Sequence, residues 1–357
     1  MYLAADAIIP YLLQRGILRP DLLLSSQWVV SQSSLKRPVF RVSRRDGTGW
    51  VVKQASPLDL SHVRMLDREA AFYGLPDACD WAKPLKGLMP RMRAYDRGVH
   101  ALVVQWVPHD TAWNSLRRER ADATRVGSLL GDALGRIHLE LPRSRSRPLF
   151  LTAKLPWVLQ LNSVATNDLE EAGLRTLLEM IRAQPALSSA LVDLARSWRV
   201  DTLVHGDAKL DNVLVRLSAP RRTWFIDWAF AGEGDPAWDL GSVMQSAVLL
   251  WLHGVQFLKD EDFAASIARS VLPLTLVQTF VRSMLERYRR TRGVSVREWR
   301  ALSQRATTCC AAALVQSALA EARTQVRYSP RQLAMLQLAQ SIFVDPQDAL
   351  QGMFDAA

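Results

Sequence analysis

Leu203-Val204-His205-Gly206-Asp207-Ala208-Lys209-Leu210-Asp211-Asn212-Val213-Leu214-Val215 is the densest run of chemistry-bearing side chains in the chain. A β-prone pair, Leu203 and Val204, leads into a polar loop, and a second apolar run comes after it at 213–215. Such a loop presents its polar side chains at the edge of a core. Asp207 and Asn212 stand five positions apart. That spacing arises easily by chance, and it gains weight from two downstream motifs in a fixed order. Residues 224–228, WFIDW, place one carboxylate, Asp227, at the end of an apolar strand, and residues 234–241, GDPAWDLG, add Asp235 and Asp239.

Phosphoryl transfer asks little covalent chemistry of a protein. It needs an acceptor hydroxyl oriented in line, metal ions on the phosphates and positive charge near the transferred group. The 203–215 loop can supply all three. Its Asp-to-Asn spacing matches the H-R-D-x-x-x-x-N pattern of kinase catalytic loops, in which Asp orients the hydroxyl and Asn is a magnesium ligand. Here His205 and Gly206 stand in for His and Arg. Asp227 sits where a metal-binding Asp of the D-F-G type would, so Asn212 and Asp227 could share the magnesium ions.

Taken together, 205–212, 226–228 and 234–241 resemble the aminoglycoside phosphotransferase and choline kinase-like family. The resemblance implies a protein-kinase-like fold with Asp207 as catalytic base, Asn212 and Asp227 holding Mg2+, and Asp235 and Asp239 bracing the catalytic loop. It also implies a small-lobe lysine paired with a helical glutamate. Val51-Val52-Lys53, with Glu69 sixteen residues later, fits. Lys53 would then hold the α- and β-phosphates of ATP, with Glu69 orienting it. The run 104–107, VQWV, resembles the interlobe linker whose backbone binds adenine, which points to Gln105 and Val107. Lys209 stands where aminoglycoside phosphotransferases often carry histidine and serine/threonine kinases carry lysine; its ammonium could reach the γ-phosphate. Residues 29–40 lack the glycines of a phosphate-covering loop, leaving Ser31, Ser33, Ser34 and backbone amides to that task.

The local patterns agree with this layout. Residues 28–107 read as β-rich with one inserted helix, and from Trp113 onward helical periodicity prevails. The runs 39–43 and 50–54 flank an Asp46-Gly47 pair, a strong hairpin signal. Residues 58–74 predict a helix, with Phe72, Met65, Tyr73, Leu66, Ala70 and Val63 on one apolar arc and Asp67 and Arg68 on the polar side. Glu69 falls inside the apolar arc, and a buried carboxylate needs a cationic partner. A β-prone run, 101–107, ends at Pro108-His109-Asp110, which reads as a hinge. Helices are expected near 113–120, 122–139, 169–183, 187–198 and beyond 241. The expected fold class is α+β and bilobal: a small antiparallel-β lobe with one helix and a larger, mostly α-helical lobe. Residues 1–107 would form the ATP-binding lobe and 108–357 the catalytic and acceptor-binding lobe, with ATP between them.

Composition narrows the function classes. At 357 residues, 49% hydrophobic and 22% charged, the chain can bury an ordinary core. Residues 243–258 are interrupted by Gln245, Ser246, His253 and Gln256, so no membrane span is expected. The N-terminus shows no secretory leader, and three cysteines, two of them adjacent at 309 and 310, offer neither a disulfide framework nor a metal site. A cytoplasmic location is the resulting expectation. The net charge of +10 is mostly arginine, which suits an acidic partner or reflects compositional bias; no nucleic-acid-binding motif accompanies it, so no nucleic-acid partner is expected. For the acceptor, a small-molecule hydroxyl leads. A cationic aminoglycoside would want an acidic pocket, and after residue 241 the chain offers only the Asp260-Glu261-Asp262 cluster. The alternative is a Ser/Thr kinase of an acidic precursor peptide in lanthipeptide-like ribosomal natural-product maturation, working with biosynthetic partner proteins. The third reading is a catalytically silent nucleotide-binding scaffold, against which Lys53, Asp207, Asn212 and Asp227 argue jointly. Among the remaining polar residues, His138 reads as a helix-terminal cation, His109 as solvated, and the arginines within 282–292 as a solvated helix face.

Overall fold

In the computed structural model the Asp46-Gly47 turn closes the expected hairpin: the Arg44 N–H donates to Thr48 O at 2.9 Å, and Gly47 takes a left-handed φ of 81° that suits glycine. Residues 3–24, 27–34, 38–118, 122–138, 155–163, 171–200, 202–258, 263–323 and 327–356 are described. They fall into two units, Met1–Asp110 with Trp224–Ala231, and Thr111–Thr223 with Gly232–Ala357.

The first unit begins with two short helices, α1 (Ile8–Gln14) and α2 (Pro20–Leu24). An antiparallel sheet comes next, made of β1 (Trp28–Ser34), β2 (Val39–Arg44), β3 (Gly49–Gln54), β4 (Met92–Asp96) and β5 (Ala101–Gln105) in the order β1-β2-β3-β5-β4. Phe40, Val42, Val52, Ala101 and Val103 form a core with Ile8, Tyr11 and Leu12. The expectation of one helix in this part is therefore too low. Ile8, Tyr11 and Leu12, at i, i+3 and i+4, give α1 one apolar face, and the sheet takes it. The expected helix is α3 (Leu60–Ala78), capped by Asp59, whose side chain accepts from the His62 N–H at 3.0 Å. It buries Val63, Leu66, Glu69, Ala70, Phe72 and Tyr73, and it runs past Gly74 through Pro76. Gly74 adopts no left-handed φ, and the burial of Leu75 and Pro76 outweighs the weak stop signal.

The second unit is helical: α4 (Ala112–Arg118), α5 (Ala123–Ile137), α6 (Ala172–Ala183) and α7 (Pro185–Arg196) precede the motif region. There lie β6 (Thr202–Val204), β7 (Val213–Arg216), β8 (Arg222–Phe225), in which the chain passes to the first unit, and β9 (Gly232–Gly234). Helices α8 (Pro236–Leu252), α9 (Phe263–Ala268), α10 (Leu274–Arg292), α11 (Val296–Ala322) and α12 (Pro330–Val344) complete the order. β6 pairs antiparallel with β9, Thr202 opposite Gly234 and Val204 opposite Gly232. Nearly every residue of α8 is buried, as expected of a helix that is apolar all round. α5 and α10 approach closely: a Cβ on Gly131 would stand 2.2 Å from Met284 O. Capping boxes start α11 (Ser295, Glu298) and α12 (Ser329, Gln332).

Some expectations fall on residues outside those described: 119–120, 139 and 169–170 of the expected helices, the Ser33 and Ser34 side chains, and the acidic cluster 260–262. Among the described residues no helix is long and apolar enough to cross a membrane.

Candidate active site

In the first unit, β3 carries Lys53 and the apolar face of α3 carries Glu69. Lys53 Nζ stands 2.7 Å from Glu69 Oε1 and also pairs with the Asp227 carboxylate. The Lys53 side chain is 14% exposed and that of Glu69 5%. Burial alone would lower the Lys53 pKa, but the Glu69 and Asp227 carboxylates outweigh it and hold the ammonium above its ordinary value. Burial pushes the Glu69 carboxyl up, against the pull of Lys53. The cation demanded by a carboxylate on the buried arc is thus Lys53.

Asp227 adopts a left-handed backbone, φ 63° and ψ 57°, a conformation costing a non-glycine residue about 1–3 kcal/mol. Asp tolerates it better than most residues. The turn after it is fastened to α3. Trp228 stacks on Phe72 with ring centroids 4.8 Å apart, and its Nε1–H donates to Phe225 O at 2.8 Å. Arg68 donates to Ala231 O from Nε at 3.1 Å and from Nη2 at 2.7 Å. Periodicity assigns Arg68 to the polar face; it is partly buried because it spans to this carbonyl, an acceptor that no sequence pattern announces.

In the linker, the Gln105 N–H donates to Arg91 O at 2.8 Å and the Trp106 N–H to Gly49 O at 2.9 Å. The Val107 N–H has no partner among the described residues, while Val107 O accepts from the His109 N–H at 2.9 Å. Of the two expected adenine-binding residues, only Val107 keeps a backbone donor to offer. His109 is not simply solvated: its ring stacks on Trp224 at 5.3 Å. Ser31 lies within β1 opposite Arg41.

In the second unit, β6 delivers the chain into the 205–212 loop, which turns at Gly206 with φ 79°. Asp239 of α8 accepts from the His205 N–H at 2.6 Å and the Gly206 N–H at 2.8 Å. Trp238 Nε1–H donates to Gly206 O at 3.2 Å, and Ser246 Oγ accepts from the Leu210 N–H at 3.1 Å. Within this frame Lys209 Nζ lies 2.9 Å and Asn212 Nδ2 2.8 Å from Asp207, both on Oδ2. Asp207 Oδ1 has no partner among the described residues, and the side chain is 28% exposed. Lys209 therefore lies on the Asp207 carboxylate. Asn212 also donates Nδ2–H to Asp207 O at 2.9 Å, which leaves its Oδ1 without a donor among the described residues. That oxygen and the Asp227 carboxylate are hard donors of the kind Mg2+ takes.

Bracing falls to Asp239 alone of the two acids expected to share it. Asp235 caps α8, accepting from the Ala237 N–H at 3.0 Å, and pairs with Arg305 of α11, whose Nε is 2.9 Å away. His138 is also not at the solvated helix end that its position suggests. It is wholly buried, with Nδ1 2.8 Å from Tyr288 Oη and Nε2 3.1 Å from Asp239 Oδ2. Burial would raise the Asp239 pKa, but hydrogen bonding and charge interaction with His138 and His205 hold it below its ordinary value.

The sequence profile of the phosphotransferase enzyme family matches residues 32–269. An ethanolamine kinase from Plasmodium vivax is similar in structure with a TM-score of 0.56 at 10% identity, over 93% of this chain and 85% of that one. A choline kinase from Cryptosporidium parvum gives 0.56 at 10% identity, over 97% and 96%. An ADP-bound aminoglycoside phosphotransferase gives 0.54 at 14% identity, over 96% and 99%. At these identities the likeness shows the fold. No curated protein matches the sequence significantly.

Proposed function

Because this chain belongs to the phosphotransferase enzyme family, we propose that it moves the γ-phosphate of Mg-ATP to a hydroxyl of a small molecule, with Asp207 as the base. The enzyme is an ATP-dependent kinase with an alcohol group as acceptor. The observation that carries the assignment of Asp207 is the convergence of Lys209 and Asn212 on Oδ2, which leaves Oδ1 to the acceptor. Asp207 orients the hydroxyl and takes its proton as the oxygen attacks phosphorus. Lys209 keeps positive charge beside that carboxylate and, displaced onto the γ-phosphate, would offset charge there. Lys53, oriented by Glu69, holds the α- and β-phosphates, and the Val107 N–H with Gln105 O meets adenine. Asn212 and Asp227 are the Mg2+ ligands; the ion, when bound, neutralises charge on the phosphates. Residues 1–107 are assigned to nucleotide binding and 108–357 to the catalytic loop and acceptor, and the enzyme is placed in the cytoplasm.

A small-molecule acceptor is favoured by the family and by structural relatives that are an ethanolamine kinase, a choline kinase and an aminoglycoside phosphotransferase. The test is intact-mass spectrometry after incubation with Mg-ATP, with amino alcohols and hydroxylated antibiotics in one arm and acidic Ser/Thr-rich peptides in the other. A phosphate adduct on a small molecule, absent with Asp207→Ala, supports the reading. An adduct confined to peptides would instead establish the precursor-peptide kinase, and ATP bound but never consumed would establish the scaffold.

A further inference from the structure

His138, at the C-terminal end of α5, and Tyr288 of α10 have no part in the chemistry above, yet both are buried and joined in one hydrogen-bond chain to the catalytic loop. The glycines of α5 bring them together. A Cβ on Gly135 would stand 2.8 Å from Thr291 Cβ, and Gly131 is closer still to the α10 backbone. Three residues beyond Gly135 the chain reaches His138, at the level of Tyr288. Tyr288 is missed by composition because it sits in an arginine-rich run, whose Arg287 turns outward to pair with Asp132 at 2.8 Å.

The direction of each hydrogen bond is set by its ends. Asp239 is a carboxylate and can only accept, so His138 donates its Nε2–H to it. In the Nε2–H tautomer that this selects, Nδ1 is the acceptor, and the Tyr288 O–H, 2.8 Å away, is its donor. Asp239 also accepts the backbone N–H groups of His205 and Gly206, and Gly206 immediately precedes Asp207.

We propose that His138 is a positioning residue for phosphoryl transfer: by donating Nε2–H to Asp239 it fixes the carboxylate that holds the His205 and Gly206 amides, and so sets the aim of Asp207, with Tyr288 fixing the imidazole. This rests on the kinase reading of Asp207. A packing role could be filled by an apolar side chain of similar size; a positioning role needs the donor.

The experiment compares His138→Leu, His138→Gln, which keeps an N–H donor, and Tyr288→Phe with the wild type. Two quantities are read: steady-state hydrolysis of Mg-ATP with water as acceptor, and hydrogen exchange of the His205 and Gly206 amides. His138→Leu should lower kcat about tenfold or more with KM for ATP unchanged, and should speed exchange at both amides. His138→Gln should restore most of both, and Tyr288→Phe should show a smaller loss of the same kind. A folded His138→Leu with wild-type kcat and exchange, or His138→Gln as impaired as His138→Leu, overturns the proposal. If His138→Leu does not fold, Tyr288→Phe decides, and unchanged kcat and exchange there overturn it. If the wild type does not hydrolyse ATP with water as acceptor, the exchange comparison alone decides whether His138 holds the loop; the kinase reading fails separately, if no acceptor in the mass-spectrometric comparison is phosphorylated.

Discussion

Lys53 Nζ stands 2.7 Å from Glu69 Oε1, an ion pair almost wholly withdrawn from water. Such a pair adds little net stability, since desolvation offsets most of the attraction, yet removing one partner costs about 3–5 kcal/mol because the other charge is left buried. Here the lysine also meets Asp227. Lys53, proposed to hold the nucleotide, and Asp227, a proposed metal ligand, therefore depend on each other for orientation.

Lys53→Met should accordingly weaken Mg-ATP binding and lower the thermal midpoint together, because Glu69 loses its counter-charge. Glu69→Gln should cost less, since Lys53 keeps Asp227. Calorimetric titration with Mg-ATP and thermal denaturation check this. A Lys53→Met variant that melts and binds ATP like the wild type would contradict the assignment.

Asp227→Asn is the cleaner probe of the metal role. Asn tolerates the left-handed backbone found there, so the fold should survive while turnover falls by about two orders of magnitude or more. Asn212→Ala should raise the Mg2+ concentration needed for half-maximal rate. Excess EDTA should abolish turnover in the wild type, and activity persisting in EDTA would rule out both metal assignments.

Asp239 ties stability to pH. Its folded-state pKa lies below the ordinary value of 3.8, so it contributes stability that is fully present above that value and lost as pH falls through the lower, folded one. Asp239→Asn should be less stable than the wild type by about 3–5 kcal/mol near neutrality. The gap should narrow once pH drops below about 4. Thermal midpoints recorded across that range test the sign; a gap that widens on acidification would contradict it.

Much of the site was legible because its signals are local. The Asp207 to Asn212 spacing, the Asp227 strand end and the 234–241 run each occupy one short stretch, and the buried place of Glu69 comes from helical period alone. The partners that arrive from other helices were not legible. Arg68 looks like a surface residue until a carbonyl at Ala231 comes within reach, and the division of labour between Asp235 and Asp239 depends on Arg305, seventy positions from Asp235. Tyr288 was hidden by the arginines around it, and His138 by its place at a helix end, where a solvated cation is the ordinary reading. In the fold, α1 is not legible from sequence because short helices carry weak signals until a sheet face covers them.

The most direct test of Asp207 as the base is the kcat of ADP formation by Asp207→Ala, with the best acceptor from the mass-spectrometric comparison and Mg-ATP saturating in each sample. That kcat should fall by about two to four orders of magnitude, with the ATP dissociation constant unchanged. A variant that turns over at the wild-type rate, or one that loses turnover only because it no longer binds ATP, would contradict the assignment of Asp207 as the base.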